Sequence, residues 1–318
     1  MGDDTHPEPG RDVSSSRTIL VLINQASGTA SRADDDLDEQ IGRAFAAAGQ
    51  AAEVRPVSPE ELAPTAEAAI GRYRAVVMAG GDGSVSTVAN ALAGSGTPLG
   101  VLPLGTLNHF AGDLGMPTDL DAAVQALANG QIRRIDAGEV NGRLFVNNSS
   151  VGIYTDIVED RDRQCRERGR AKWLAMVIAT WRALLHYRRQ RLTIGIAGRE
   201  WRGRTSLLFV GNNSYKLSFP HMGARTRLDG GTLCLFAVLG RGWRLVRLAL
   251  RALIGTADAD REFRRFDDLD EVTISSRQQR LSVAIDGEVT LMETPLRYRS
   301  RPAALTVIAP PANAAAQA

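Results

Sequence analysis

Cysteine is almost missing from this chain: its 318 residues contain two, Cys165 and Cys234, far apart, with no Cys-x-x-Cys and no neighbouring His. That spacing offers neither a disulfide framework nor a zinc site, and a reducing compartment is the expectation. Lysine is equally scarce. The only two, Lys172 and Lys216, lie in neither a Gly-x-x-x-x-Gly-Lys-Ser/Thr loop nor a Val-Ala-Ile-Lys strand, so phosphate binding of the P-loop and protein-kinase kinds is excluded. Aromatic residues make up 5% and no nucleic-acid-binding module is recognisable, so no nucleic acid partner is expected. Long apolar runs are also lacking. The best candidate, residues 173–178, is soon followed by Arg182 and falls short of the ~20 residues that span a bilayer. The first sixteen residues have no hydrophobic signal core, so the expected location is cytoplasmic.

What is present is enough for a sizeable core. With 44% hydrophobic and 23% charged residues the chain reads as globular, and its length favours two domains. The net charge of +2 conceals an uneven distribution: residues 161–204 hold thirteen Lys or Arg against three Asp or Glu. A local basic face is expected there.

Residues 1–16 and 310–318 read as disordered tails. From residue 17 the pattern alternates: an apolar run at 18–24, a helix-like stretch at 34–48, a strand at 52–57, and a helix capped by Ser58 with Glu61 three positions on. A buried strand at 75–79, a helix at 84–92 and a strand at 99–104 continue the rhythm, which predicts an α/β domain over residues 17–133, a parallel sheet with helices on both faces. Beyond it the texture is β-rich, with strands expected at 143–147, 192–196, 205–210, 232–238, 271–275 and 281–285. These predict an antiparallel sheet or sandwich over residues 134–299. Two helix-like segments, 172–187 and 243–254, interrupt it.

Two polar loops follow buried strands. Gly80-Gly81-Asp82-Gly83-Ser84 leads from a strand into a helix whose first amides can face an anion. Pro103-Leu104-Gly105-Thr106-Leu107-Asn108-His109 follows the next strand, so both loops belong at the ligand-binding edge of a parallel sheet. Thr106 and Asn108 can donate to phosphate oxygens or cap the following helix. Asp286-Gly287 is by itself a strong hairpin signal.

Taken together the motifs resemble the diacylglycerol kinase catalytic family, with its sphingosine- and ceramide-kinase relatives. Asn24-Gln25-Ala26-Ser27-Gly28 resembles the family's Asn-Pro-x-Ser-Gly, Gly80 to Ser84 its GGDGT, and Pro103 to His109 its PLGTxND. Ile135-Asp136-Ala137-Gly138, Leu228-Asp229-Gly230-Gly231 and Ile285-Asp286-Gly287-Glu288 resemble its later motifs. The resemblance implies an ATP- and Mg²⁺-dependent lipid kinase in which residues 17–133 are the α/β nucleotide-binding domain, the second domain is a β-sandwich, and a cleft lies between them. It also implies a last strand, within residues 300–309, that returns to the first domain. Asn24, Ser27, Gly28, Gly80, Gly81, Asp82, Gly83, Ser84, Thr106 and Asn108 would surround ATP, Asp82 serving the metal. Asp286 would be the general base with Glu288 beside it, although the roles of Asp286 and Asp82 are open to exchange.

Two departures from the family pattern stand out: His109 replaces the Asp of PLGTxND, and Thr29 replaces a frequent basic residue. A His109–Asp136 pair is one way to restore the lost charge pattern. An NAD-kinase-like enzyme and a non-catalytic lipid- or nucleotide-binding protein are the alternatives. The lipid substrate places the chain at the inner membrane face, where residues 241–254, with Arg241, Arg244, Arg247 and Arg251 on one helical face, and residues 172–187 could meet anionic lipid or instead pack on the second domain. The sequence is compatible with a homodimer and does not fix the oligomeric state.

Overall fold

The computed structural model describes residues 18–25, 36–152, 190–215, 225, 227–239 and 263–311. Ser27, Gly28, Thr29, both lysines, Cys165, and the segments 172–187 and 241–254 lie outside the described residues.

The first half alternates as expected: β1 (Ile19–Asn24), α1 (Leu37–Ala47), β2 (Ala52–Val57), α2 (Leu62–Ala69), β3 (Ala75–Gly80), α3 (Asp82–Leu92), β4 (Leu99–Pro103), α4 (His109–Asp113) and α5 (Leu120–Ala128). The Ser58–Glu61 capping box forms, closing a 3-10 turn ahead of α2. β1 pairs in parallel with β2 and β3, and β3 with β4. Because helices cover this sheet, β3 and β4 are buried at every position, which explains their unbroken apolar sequence. Phe45, Met78, Leu92, Leu102 and Phe110 are fully buried in its core. Each such side chain contributes about 2 kcal/mol relative to exposure.

The second half is antiparallel: β5 (Gln131–Val140), β6 (Arg143–Phe145), β7 (Asn148–Gly152), β8 (Gln190–Ile196), β9 (Arg199–Asn212), β10 (Leu233–Leu239), β11 (Phe263–Leu269), β12 (Glu271–Ser276), β13 (Arg280–Ile285), β14 (Glu288–Glu293) and β15 (Leu296–Ala309). Its own core includes Phe145, Val210, Leu235, Ile274, Ile285 and Tyr298. The architecture is therefore an α/β domain with a parallel sheet joined to a mainly β domain.

Strands β5 and β15 run antiparallel through both halves. β15 pairs with β12 near its start and, at Val307 opposite Leu99, in parallel with β4 near its end. Its register breaks between Arg301 and Leu305, where Ala303 takes φ 51° and donates its N–H to Asp136 Oδ1 at 2.9 Å. β5 crosses the boundary expected at residue 133, and β11 was not anticipated. The strand expected at 143–147 is divided: residues 146 and 147 belong to neither β6 nor β7, because their amides are turned onto a carboxylate instead of a ladder.

Candidate active site

The expected helix at 84–92 starts two residues earlier, at Asp82, with Gly81 as an extended N-cap and no side-chain cap on the first amides. Those amides remain available to an anion. None of Gly80, Gly81 and Gly83 has a positive φ, so their role is clearance rather than backbone freedom. A Cβ at Gly105 would overlap Cα of Gly81, and one at Gly83 would sit 3.1 Å from Glu288 Oε1. The two loops thus meet backbone to backbone, and the β13–β14 hairpin overhangs the first turn of α3.

Asn24 donates from Nδ2 to Ser84 Oγ at 2.7 Å, joining the end of β1 to the same turn. Asn108, in the left-handed region at φ 51°, spends its side chain inside its own loop. Its Oδ1 accepts from Gly105 N at 2.9 Å, and its Nδ2 donates to the carbonyls of Gly105 (2.8 Å) and Pro103 (3.2 Å). It shapes the loop, and Thr106 stands exposed beside it. Asn108 is the N-cap residue of α4, but neither its side chain nor that of Thr106 caps the helix. That role falls to Asp82, whose two oxygens accept from His109 N (3.1 Å) and Phe110 N (3.0 Å), a bond between the two loops that sequence spacing did not reveal.

Asp286 and Gly287, at φ 46° and 87°, form the two-residue turn between β13 and β14, with Ile285 opposite Glu288. The hairpin reading of Asp286-Gly287 holds. The Asp286 carboxylate accepts four hydrogen bonds: Oδ2 from Ser86 Oγ (2.7 Å) and Val146 N (2.9 Å), Oδ1 from Asn147 N (2.8 Å) and Asn148 N (3.0 Å). Burial pushes its pKa above the ordinary carboxylate value, opposed first by the Ser86 hydroxyl and then by the three amides. Glu288 is half-exposed and pairs through Oε2 with Arg143 at 3.0 Å.

Sequence reasoning missed Ser86, Arg143 and Arg225. Arg225, with its side chain 1% exposed, donates to Asp113 Oδ2, Val146 O and Asn147 Oδ1, tying α4 to the segment that holds Asp286. No local pattern marks these residues. The His109–Asp136 pair, one of the ways considered to restore the charge pattern, does not form: Asp136 is buried and its oxygens accept from Gly231 N (2.6 Å) and Ala303 N (2.9 Å), while His109 is exposed. Asp229 instead meets Arg227 at 3.0 Å on the surface.

Among the described residues no three His, Cys, Asp or Glu side chains converge as a metal site. Asp82 keeps one lone pair on each oxygen after accepting its two amides. A single carboxylate fits Mg²⁺ of the kind that takes its remaining ligands from phosphates and water.

Comparisons with known proteins bear on the family and the fold. The family model described as the diacylglycerol kinase catalytic domain matches residues 18–140. The protein named "Probable lipid kinase YegS-like" from Pseudomonas syringae pv. tomato is 32% identical over 248 residues, covering 77% of this chain and 78% of that protein. The diacylglycerol kinase of Bacillus subtilis is 41% identical over 97 residues, 30% of this chain and 32% of its own. A solved diacylglycerol kinase structure from Bacillus anthracis shares the fold, with a TM-score of 0.68 at 18% identity over 93% of this chain and 98% of that one. On these findings the chain belongs to the diacylglycerol kinase catalytic-domain family of lipid kinases.

Proposed function

We propose that this protein transfers the γ-phosphoryl group of ATP to a hydroxyl of a diacylglycerol-like or sphingoid-like lipid, in the cleft where the β13–β14 hairpin meets the N-terminus of α3. The observation that carries this reading is the junction itself: Asp286 bonds to Ser86 of α3, and Glu288 lies over Gly83. Two carboxylates from one half of the chain are thereby set against the anion-facing amides of the other.

Phosphoryl transfer asks chiefly for positioning and charge stabilisation. The α3 amides and Ser84 face the phosphates, while Asp82 and Asn108 keep the second loop in register. Asp82 is the residue that would hold Mg²⁺, which supplies neutralisation of phosphate charge when bound. Asp286 takes the proton of the attacking hydroxyl. Its raised basicity suits that task, and an acceptor hydroxyl would occupy the position on Oδ2 that the Ser86 hydroxyl now holds. A second reading, with Glu288 as the base, is favoured by its greater exposure once Arg143 releases it.

Labelled ATP offered with a panel of lipids in mixed micelles, and separately with NAD, tests the reaction. Label is expected on a lipid product. Label on NAD, or on nothing while ATP still binds, would reject the lipid-kinase reading. The panel also decides which lipid is phosphorylated.

A further inference from the structure

Outside the cleft, the outward face of β8, β9 and β12 carries a groove of about 490 Å³ lined by Arg191, Thr193, Arg202, Arg204, Ser275 and Arg277 among others. Its composition follows from strand alternation. Leu192, Ile194 and Ile274 turn into the core, so Arg191, Thr193 and Ser275 turn outward. Across β8 and β9, Arg191 stands directly opposite Arg204 and Thr193 opposite Arg202, while Ser275 stands opposite Thr193 across β12.

Like charges placed directly across two strands are unfavourable, so this arrangement would gain from an anion lying between them. No lining residue is acidic. Arg202 has Glu200 at 2.9 Å, but both side chains are well exposed and such a pair contributes little in water. Among the described residues Arg191, Arg204 and Arg277 have no carboxylate within ion-pair distance. A chain of net charge +2 has no overall excess that would force four arginines onto one patch. The groove is also remote from the chemistry. On β9, Arg204 and Asn212 are about eight residues apart, roughly 26 Å along the strand, and Asn212 bonds to Asn147 at the cleft.

We propose that this groove binds the phosphate of an anionic lipid headgroup and so seats the β domain on the bilayer. Guanidinium forks match phosphate oxygens in pairs, and the hydroxyls of Thr193 and Ser275 donate to those left over. The choice of a lipid as the source of the phosphate rests on the lipid-kinase reading, since an acceptor held in a bilayer brings the enzyme to a surface carrying such headgroups.

Co-sedimentation of the full chain with phosphatidylcholine vesicles, with and without phosphatidylglycerol, reads the groove. The wild-type chain is expected on the phosphatidylglycerol vesicles, and less so as salt is raised. Arg191→Glu sets a carboxylate opposite Arg204, which removes the repulsion, so thermal stability should hold or rise. The same change should lower vesicle binding by more than about fivefold. A merely solvated basic face predicts the stability change without the binding loss. Equal partitioning of variant and wild type, or no preference of the wild type for phosphatidylglycerol, overturns the proposal. Thermal stabilisation by inorganic phosphate that Arg191→Glu abolishes, without vesicle binding, assigns the groove to a free phosphate compound and overturns the lipid assignment. Turnover of the wild-type chain on a soluble short-chain acceptor, measured alongside, tests the kinase reading separately.

Discussion

Replacing Asp286 by Asn keeps the size and polarity of the side chain, yet it should touch more than the chemical step. All four acceptor positions of the carboxylate are occupied, three of them by backbone amides that cannot turn away. An Asn oxygen in place of Oδ1 keeps the Asn147 and Asn148 amides, and Ser86 can rotate to accept from the new NH₂. The Val146 N–H is left facing another donor. One buried unsatisfied group costs about 1–3 kcal/mol, so Asp286→Asn should lose that much stability. Ser86→Ala provides the matched control. It removes one bond to the buried carboxylate, also worth about 1.5–3 kcal/mol, and leaves the carboxylate in place. Stability from denaturant midpoints should therefore fall alike in both variants. Single-turnover rates at saturating ATP should not: Asp286→Asn should lose ~10²- to 10⁴-fold, or roughly 3–5 kcal/mol of barrier, while Ser86→Ala stays within a few-fold. The pH dependence adds a second readout. A carboxylate whose folded pKa is raised by burial stabilises the fold fully below the unfolded pKa of about 4, and that contribution is lost as pH rises through the folded value. Wild-type stability relative to Asp286→Asn should therefore decline with rising pH over the range in which turnover climbs. Equal rate losses in the two variants, or an acid limb of turnover that survives in Asp286→Asn, would refute the assignment and move the base to Glu288 or Asp82.

Two further outcomes test the scaffold around the cleft. Arg225→Met leaves Asp113 without its partner in a nearly dry site and should cost about 3–5 kcal/mol in urea denaturation, whereas Arg225→Met with Asp113→Leu should recover much of that loss. If the double variant is no more stable than the single, the pair is not the link between α4 and residues 146–147. Gly105→Ala should push the two loops apart and sharply weaken ATP binding by calorimetry, while Gly112→Ala, where a Cβ meets nothing, should leave it unchanged. Equal affinities in the two variants would remove the Gly81–Gly105 contact from the site.

The sequence by itself determined a good deal. Its β/α alternation over residues 17–104 specified the parallel sheet, because continuous apolar runs punctuated by glycine and capping residues are local signals. Ser58 with Glu61 and Asp286 with Gly287 each specified a turn for the same reason. The order of the motifs specified the family. What the tertiary structure decided lies in contacts between residues distant in sequence. Asp82, assigned to a metal by resemblance, is also the side chain that caps α4, and Asn108, offered as a phosphate donor or a helix cap, braces its own loop. Asp286 looked like a base with a neighbour, and it is the anion around which Ser86 and residues 146–148 gather, which is why the strand expected at 143–147 is broken. Residue type announces that a carboxylate or an amide has hydrogen bonds to make, but its partners are chosen by the packing of β5, β13 and α3, and no local pattern encodes that packing.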